Sequence, residues 1–196
     1  MKNKRSFFYA LAFVLIAGVL NISCEGSETE TGETILDPIQ PIIVPDSSTH
    51  AIGGSSEQKL AQTFTINHNG TLTGVFLPLD CSSGDLDIEI RNVDGDEPGT
   101  TVLTNQRFNA DSLVTGVTVF KLFSLPGLMV STGDRMTLVL NNSGGTCGMS
   151  SGPIGNPYTG GEGFFDARPN EPGWVPFSEF DSTAQDLAFQ VLLERV

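Results

Sequence analysis

Histidine, tryptophan and tyrosine are scarce in this chain: two His, one Trp and two Tyr in 196 residues. His50 and His68 are isolated, which leaves too few imidazoles for a transition-metal centre and none late in the chain for a Ser-His-Asp arrangement of hydrolase order. Positive charge is scarce as well. There are 10 Lys and Arg against 23 Asp and Glu, and three of the ten (Lys2, Lys4, Arg5) stand at the start. Beyond residue 23, seven basic residues face 23 acidic ones, a formal charge of −16. Such a surface repels nucleic acid and anionic headgroups, so no nucleic-acid partner is expected. Helical periodicity is hard to find, no internal repeat is visible, and only one long apolar run occurs.

That run, "FFYALAFVLIAGVL" (Phe7 to Leu20), follows the basic start and is shorter than the about 20 residues of a bilayer span. Glu25, Glu28, Glu30 and Glu33 follow it where a stop-transfer helix would be followed by Lys or Arg. A cleaved signal peptide over 1–23 is the expectation. "LNISC" resembles a bacterial lipobox ending at Cys24, with Asn21 where Leu is usual and Leu20 one place early. The resemblance implies a diacylglyceryl thioether on Cys24 and membrane attachment through lipid. Each buried CH₂ contributes roughly 0.8 kcal/mol, so several acyl chains hold where one does not. The acidic stretch after the cysteine resembles the signals that send lipoproteins to the outer face of the outer membrane, and it also suits a plain linker.

Three cysteines are present, Cys24, Cys81 and Cys147. An odd cysteine in an exported chain needs an explanation, and lipidation of Cys24 leaves a pair. A Cys81–Cys147 bridge is expected in an oxidising compartment and would contribute about 4 kcal/mol by the loop-entropy argument. Two buried free thiols are the alternative.

Residues 24–56 read as an acidic, Pro-containing tether, with an edge strand formed by Ile35, Ile42, Ile43 and Val44 as the other reading. Residues 57–196 read as one domain. Period-two alternation is plain in "DLDIEIR", where Leu86, Ile88 and Ile90 face one way and Asp85, Asp87, Glu89 and Arg91 the other. "RMTLVLN" and "DLAFQVLLE" alternate likewise, and Gly- and Pro-rich turns separate them. About eight to ten short strands are expected, in an all-β, antiparallel, two-sheet sandwich of jelly-roll type. The one helical turn expected lies near "NADSL".

"AQTFTI", "GTLTGVFLPL", "GDLDIEIRNVDGDEPGTTVL", "NPYTGGEGFF" and "DLAFQV" together resemble a recurrent bacterial secreted β-sandwich domain of choice-of-anchor surface proteins, similar in build to jelly-roll carbohydrate-binding modules. The likeness covers nearly all of 57–196 and rests on strand ends and turns. It implies fold more than activity.

"GMSSG" (Gly148 to Gly152) matches G-x-S-x-G, but "PIGNPYTGG" behind it cannot form the helix of a nucleophile elbow. Asp85, Asp87 and Glu89 share one strand face at about 7 Å steps, a spacing open to an acidic-site glycosidase and commoner on a solvated sheet. Asp94, Asp96 and Glu97 form a weak calcium candidate in a hairpin turn, and no other cofactor is expected. Tyr158, Phe164, Phe165 and Trp174 fall in one polar loop region and could stack on a sugar ring, with Asn156, Asp166 and Arg168 bonding its hydroxyls. The commoner fate of such aromatics is to plug the end of a sandwich. The expectation is a lipid-anchored extracytoplasmic binding module, not an enzyme, that takes a neutral polysaccharide. A structural or protein-interaction module of a surface assembly or adhesin is the alternative, and a glycosidase the weaker one.

Overall fold

The structure is a computed structural model that describes residues 34–37, 49–113, 119–167, 171–180 and 185–195. The chain divides into two units, Met1–Thr31 and Gly32–Val196. The first unit, with the signal segment and Cys24, lies outside the described residues, as do most of 24–56 and Arg168.

The chain is all-β and antiparallel, as expected. Ten strands are described: β1 (Thr34–Asp37), β2 (Thr49–Gly53), β3 (Lys59–Thr65), β4 (Gly70–Asp94), β5 (Glu97–Asn109), β6 (Phe120–Val130), β7 (Arg135–Ser150), β8 (Gly163–Ala167), β9 (Glu171–Pro176) and β10 (Gln190–Glu194). Among the described residues the helical pieces are two 3₁₀ turns, Gly54–Ser56 and Ala110–Ser112, and one α-helical turn, α1 (Phe177–Phe180). The turn at Ala110–Ser112 falls within "NADSL".

The strands pair along the path β1-β10-β4-β7-β3-β8-β9, with β2 on β7 and with β5 and β6 on β4. β4 joins them. Its first part, up to Pro78, pairs with β10 and β6, and its second part, from Leu79, with β7 and β5. The register shifts at Cys81/Ser83 and again at Ser83/Asp85. Such irregularities bend a strand and sharpen its twist. Gly84 sits at this bend with φ 85°, and a Cβ there would stand 2.7 Å from the Gly145 nitrogen, so both its backbone angle and the close approach of β7 require glycine. β1, which holds Ile35, pairs with β10 and ends the path, and β2 pairs with β7. Pairing therefore begins before residue 57.

The core follows the alternation. Leu86, Ile88 and Ile90 of β4, Leu138 and Leu140 of β7, and Leu60 and Phe64 of β3 are buried on one side with Phe123, Phe189 and Val191. Opposite them, on the outer face, a second small cluster of Ala61, Val139 and Phe164 carries Trp174 packed against it. β3 is thus buried on both faces along most of its length, as a strand flanked by β7 and β8 is.

Cys81 and Cys147 pair directly across β4 and β7 and are disulfide-bonded, 66 positions apart in the chain. Each is almost wholly buried.

Candidate functional site

The outer face of β8, β3, β7, β4 and β5 carries Phe164, Asp166, Asp87 and Glu89 among the candidates. The register aligns Phe164, Ala61, Val139, Glu89 and Asn105 in one row across the five strands. In the neighbouring row Asp87 stands between Asn141 on β7 and Arg107 on β5, while Lys59 faces Asp166 on β8. Trp174 comes from β9, the last strand of the path, and caps the apolar part of the first row while remaining partly exposed. Within β9, Gly173 at φ 105° stands where the register with β8 shifts between Phe165 and Ala167, and beyond it Val175 pairs with Phe165 and Pro176 with Phe164. Asp166, buried on the same face, accepts a hydrogen bond from the Gly173 N–H at 3.3 Å and so fixes this hairpin.

The aromatic platform assembles only in part. Trp174 and Phe164 meet on the outer face, with Asp166 beside them. Tyr158 does not join them. It lies in the main core, its ring edge-on to Phe189 at 5.6 Å and its hydroxyl accepting the Thr65 N–H at 2.7 Å. An amphipathic ring with a buried backbone donor within reach is better satisfied inside than in water. Phe165, one residue from Phe164 in a strand, necessarily points the other way and packs on the main core, its ring near-parallel to that of Phe177. Asn156 is exposed in the loop before Tyr158, and Arg168 lies outside the described residues.

The acidic strand face is neutralised locally. Arg107 grips Asp87 with two hydrogen bonds, Nε to Oδ1 at 2.7 Å and Nη2 to Oδ2 at 2.8 Å. The hydrogen bond to Asp87, and then its charge, raise the Arg107 pKa above the usual guanidinium value. Arg91 binds Glu89 at 2.6 Å. Both carboxylates are thus held in place by guanidinium partners.

The hairpin turn differs from the calcium reading. Asp94 pairs with Glu97 across Gly95, whose φ of 65° makes the tight turn. The Asp96 side chain is 94% exposed and bound to Arg135 at 3.0 Å, and Arg135 also donates to the Gly95 carbonyl. Among the described residues no three His, Cys, Asp or Glu side chains gather as metal ligands.

Ser150 of "GMSSG" ends β7, and no helix follows it. Its neighbour Ser151 is 2.9 Å from His50 Nε2, and the His50 ring stacks on Phe177 at 4.4 Å. The Gly152 N–H, the nearest backbone donor in sequence, is engaged by the Asp186 carbonyl at 2.7 Å. The arrangement reads as a buried polar contact that seats β2 on the end of β7.

A polar groove of about 640 Å³ opens at one end of the outer face, lined in part by Glu57, Lys59, Ser83, Asn141 and Asn142. Amides and hydroxyls dominate it, and its one acid and one base leave it uncharged in sum. Sequence reasoning missed it because its walls come from three separate chain segments, the turn at Gly54–Ser56 and the Gly- and Ser-rich bends of β4 and β7. The alternation of Lys59, Ala61 and Thr63 against Leu60 and Phe64 was the available signal for the outer face.

No protein-family model matches the chain, and no curated protein matches it.

Proposed function

We propose that this chain is a lipid-anchored, extracytoplasmic binding module without catalysis that takes a neutral glycan on the outer face around Trp174. The observation that carries the reading is the partly exposed Trp174 ring over Ala61, Val139 and Phe164, next to fixed hydrogen-bonding groups on Asp87, Arg107, Asn141 and Lys59. A sugar ring offers an apolar C–H face and a hydroxyl edge, and these two kinds of surface meet its two sides. The −16 charge disfavours a polyanionic glycan. Attachment rests on the basic start, the apolar run and the lipobox-like flank of Cys24, and surface exposure on the acidic residues behind it. The domain is of the choice-of-anchor, carbohydrate-binding-module-like kind. Retention of the protein without residues 1–24 on a panel of neutral and acidic polysaccharides tests the reading. Binding to a neutral one that Trp174→Ala abolishes supports it, and no retention on any neutral member refutes it.

A second reading has its own observation. On the β10-β4-β6 side, Leu122 is 41% and Met129 71% exposed on β6. Exposed apolar residues on one strand suit a protein partner of a surface assembly. Loss of partner capture in Leu122→Ser/Met129→Ser, with glycan retention intact, would favour it.

A further inference from the structure

The polar groove of about 640 Å³ follows directly on the face beneath Trp174. Outer-face residues succeed one another along β3 as Ala61 and Lys59, and along β7 as Val139, Asn141 and Ser143. Ala61 and Val139 lie under Trp174, while Lys59, Asn141 and Ser143 line the groove. Each step of two residues along a strand advances about 7 Å. The groove therefore opens about 7 Å from the apolar cluster and continues along the same two strands toward Gly144, with Ser55 and Glu57 on its other wall.

Its floor is fixed and its walls are uncommitted. Asn142 is buried and donates through Nδ2 to the Ser83 carbonyl at 2.9 Å and to Cys147 Sγ, one half of the disulfide, at 3.0 Å. Gly145 lies so close to the backbone of Ser83 and Gly84 that a Cβ would collide with both. Asn142 Oδ1 is buried there with no donor among the described residues, an unmet acceptor that marks the floor as polar. Above it, among the described residues, the side chains of Ser55, Asn141, Ser143 and Thr146 make no hydrogen bond, and no ion pair engages Glu57 or Lys59. All six are exposed or half-buried. Asp87 and Glu89 on the same face are, by contrast, held by guanidinium groups. Free hydroxyls and an amide over a rigid floor suit a ligand rich in hydroxyls, because little has to be ordered when it binds.

We infer that the groove is a second subsite of the same glycan site, so that the chain is read over three consecutive sugars running along β3 and β7. One ring stacks on Trp174. The next lies over Lys59 and Asn141, and the third enters the groove, where Ser143, Thr146 and Ser55 bond its hydroxyls. The distance from Val139 to Ser143, about 14 Å at two strand steps, sets this length. Glu57 and Lys59 offset each other in charge, so the groove selects a neutral sugar as the face at Trp174 does. The inference rests on the glycan reading at Trp174 and adds to it the direction of the chain and the number of rings.

The test is calorimetric titration of the purified protein, in a detergent without sugar headgroups, with neutral gluco-, manno- and xylo-oligosaccharides of one to five rings. In the series that binds, affinity should climb by about tenfold with each ring up to the third and level off beyond it. Ser143→Ala/Thr146→Val removes two exposed hydroxyls, and Ser55→Trp fills the groove from its other wall. Both should lower the affinity for three rings by about tenfold or more and leave that for two rings unchanged, whereas Trp174→Ala abolishes binding at every length. A wild-type affinity that levels off at one or two rings overturns the second subsite without need of any variant. Groove variants that bind every length as the wild type does overturn it too, and with Trp174→Ala still inactive the site at Trp174 stands. If the wild type binds no member of any series, the glycan reading itself falls and the subsite falls with it.

Discussion

The Tyr158 hydroxyl accepts a hydrogen bond from the Thr65 backbone N–H at 2.7 Å, across 93 residues of chain. Thr65 ends β3, and the bond ties the loop before β8 to that strand end. Tyr158→Phe leaves the Thr65 donor buried without this acceptor and should cost about 1–3 kcal/mol of stability by denaturant unfolding. Binding at Trp174 should be unchanged. A neutral effect on stability would contradict the contribution of this hydrogen bond.

The Cys81–Cys147 bridge crosses adjacent positions of β4 and β7 within the main core. The double substitution Cys81→Ala/Cys147→Ala should cost about 2–5 kcal/mol. Mass spectrometry of the oxidised domain should find no free thiol at either position, and alkylation of both without reduction would contradict the bridge.

Asp186 makes a pH forecast for the whole domain. Burial raises its folded pKa above its unfolded one, so the fold is penalised when the group ionises. That penalty is absent below about 3.8, grows as pH rises, and is complete above about 6. It amounts to as much as about 3 kcal/mol at one pKa unit per 1.4 kcal/mol. The difference in unfolding free energy between wild type and Asp186→Asn should therefore shift in favour of the variant between pH 4 and pH 7. A difference constant over that window would contradict it.

The anchor makes a simpler one. Cys24→Ser should release the protein from the membrane fraction or leave an unprocessed precursor. Unchanged fractionation, with no incorporation of labelled fatty acid in the wild type, would remove the lipid anchor from the account.

The strand faces were legible because alternation is a local signal. Leu86, Ile88 and Ile90 are all fully buried, and Asp87 and Glu89 point away from them. The cysteine pair was legible by counting. Tyr158 was not. Its neighbours are Pro, Asn, Thr and Gly, which read as an open loop, while the partners that bury it, Thr65 and Phe189, are distant in sequence. Phe164 and Phe165 read as one platform only if "GFFDA" is a loop, and because it is β8, strand geometry splits them. The arginines that neutralise Asp87 and Asp96 were equally hidden. Arg107 and Arg135 reach them from other strands, 20 and 39 positions away.

Trp174 is the only tryptophan in the chain, so its fluorescence reports on the proposed site without labelling. Titration of the domain with the neutral oligosaccharide of whichever polysaccharide retains it is the most direct measurement. Stacking of a neutral ring predicts a saturable change in Trp174 emission and its protection from a soluble quencher. The affinity should be nearly the same at 0.05 and about 0.5 M salt, because screening acts on charges and not on stacking. Emission and quenching that stay unchanged while the oligosaccharide is bound, or an affinity that collapses with salt, would contradict a glycan site at Trp174.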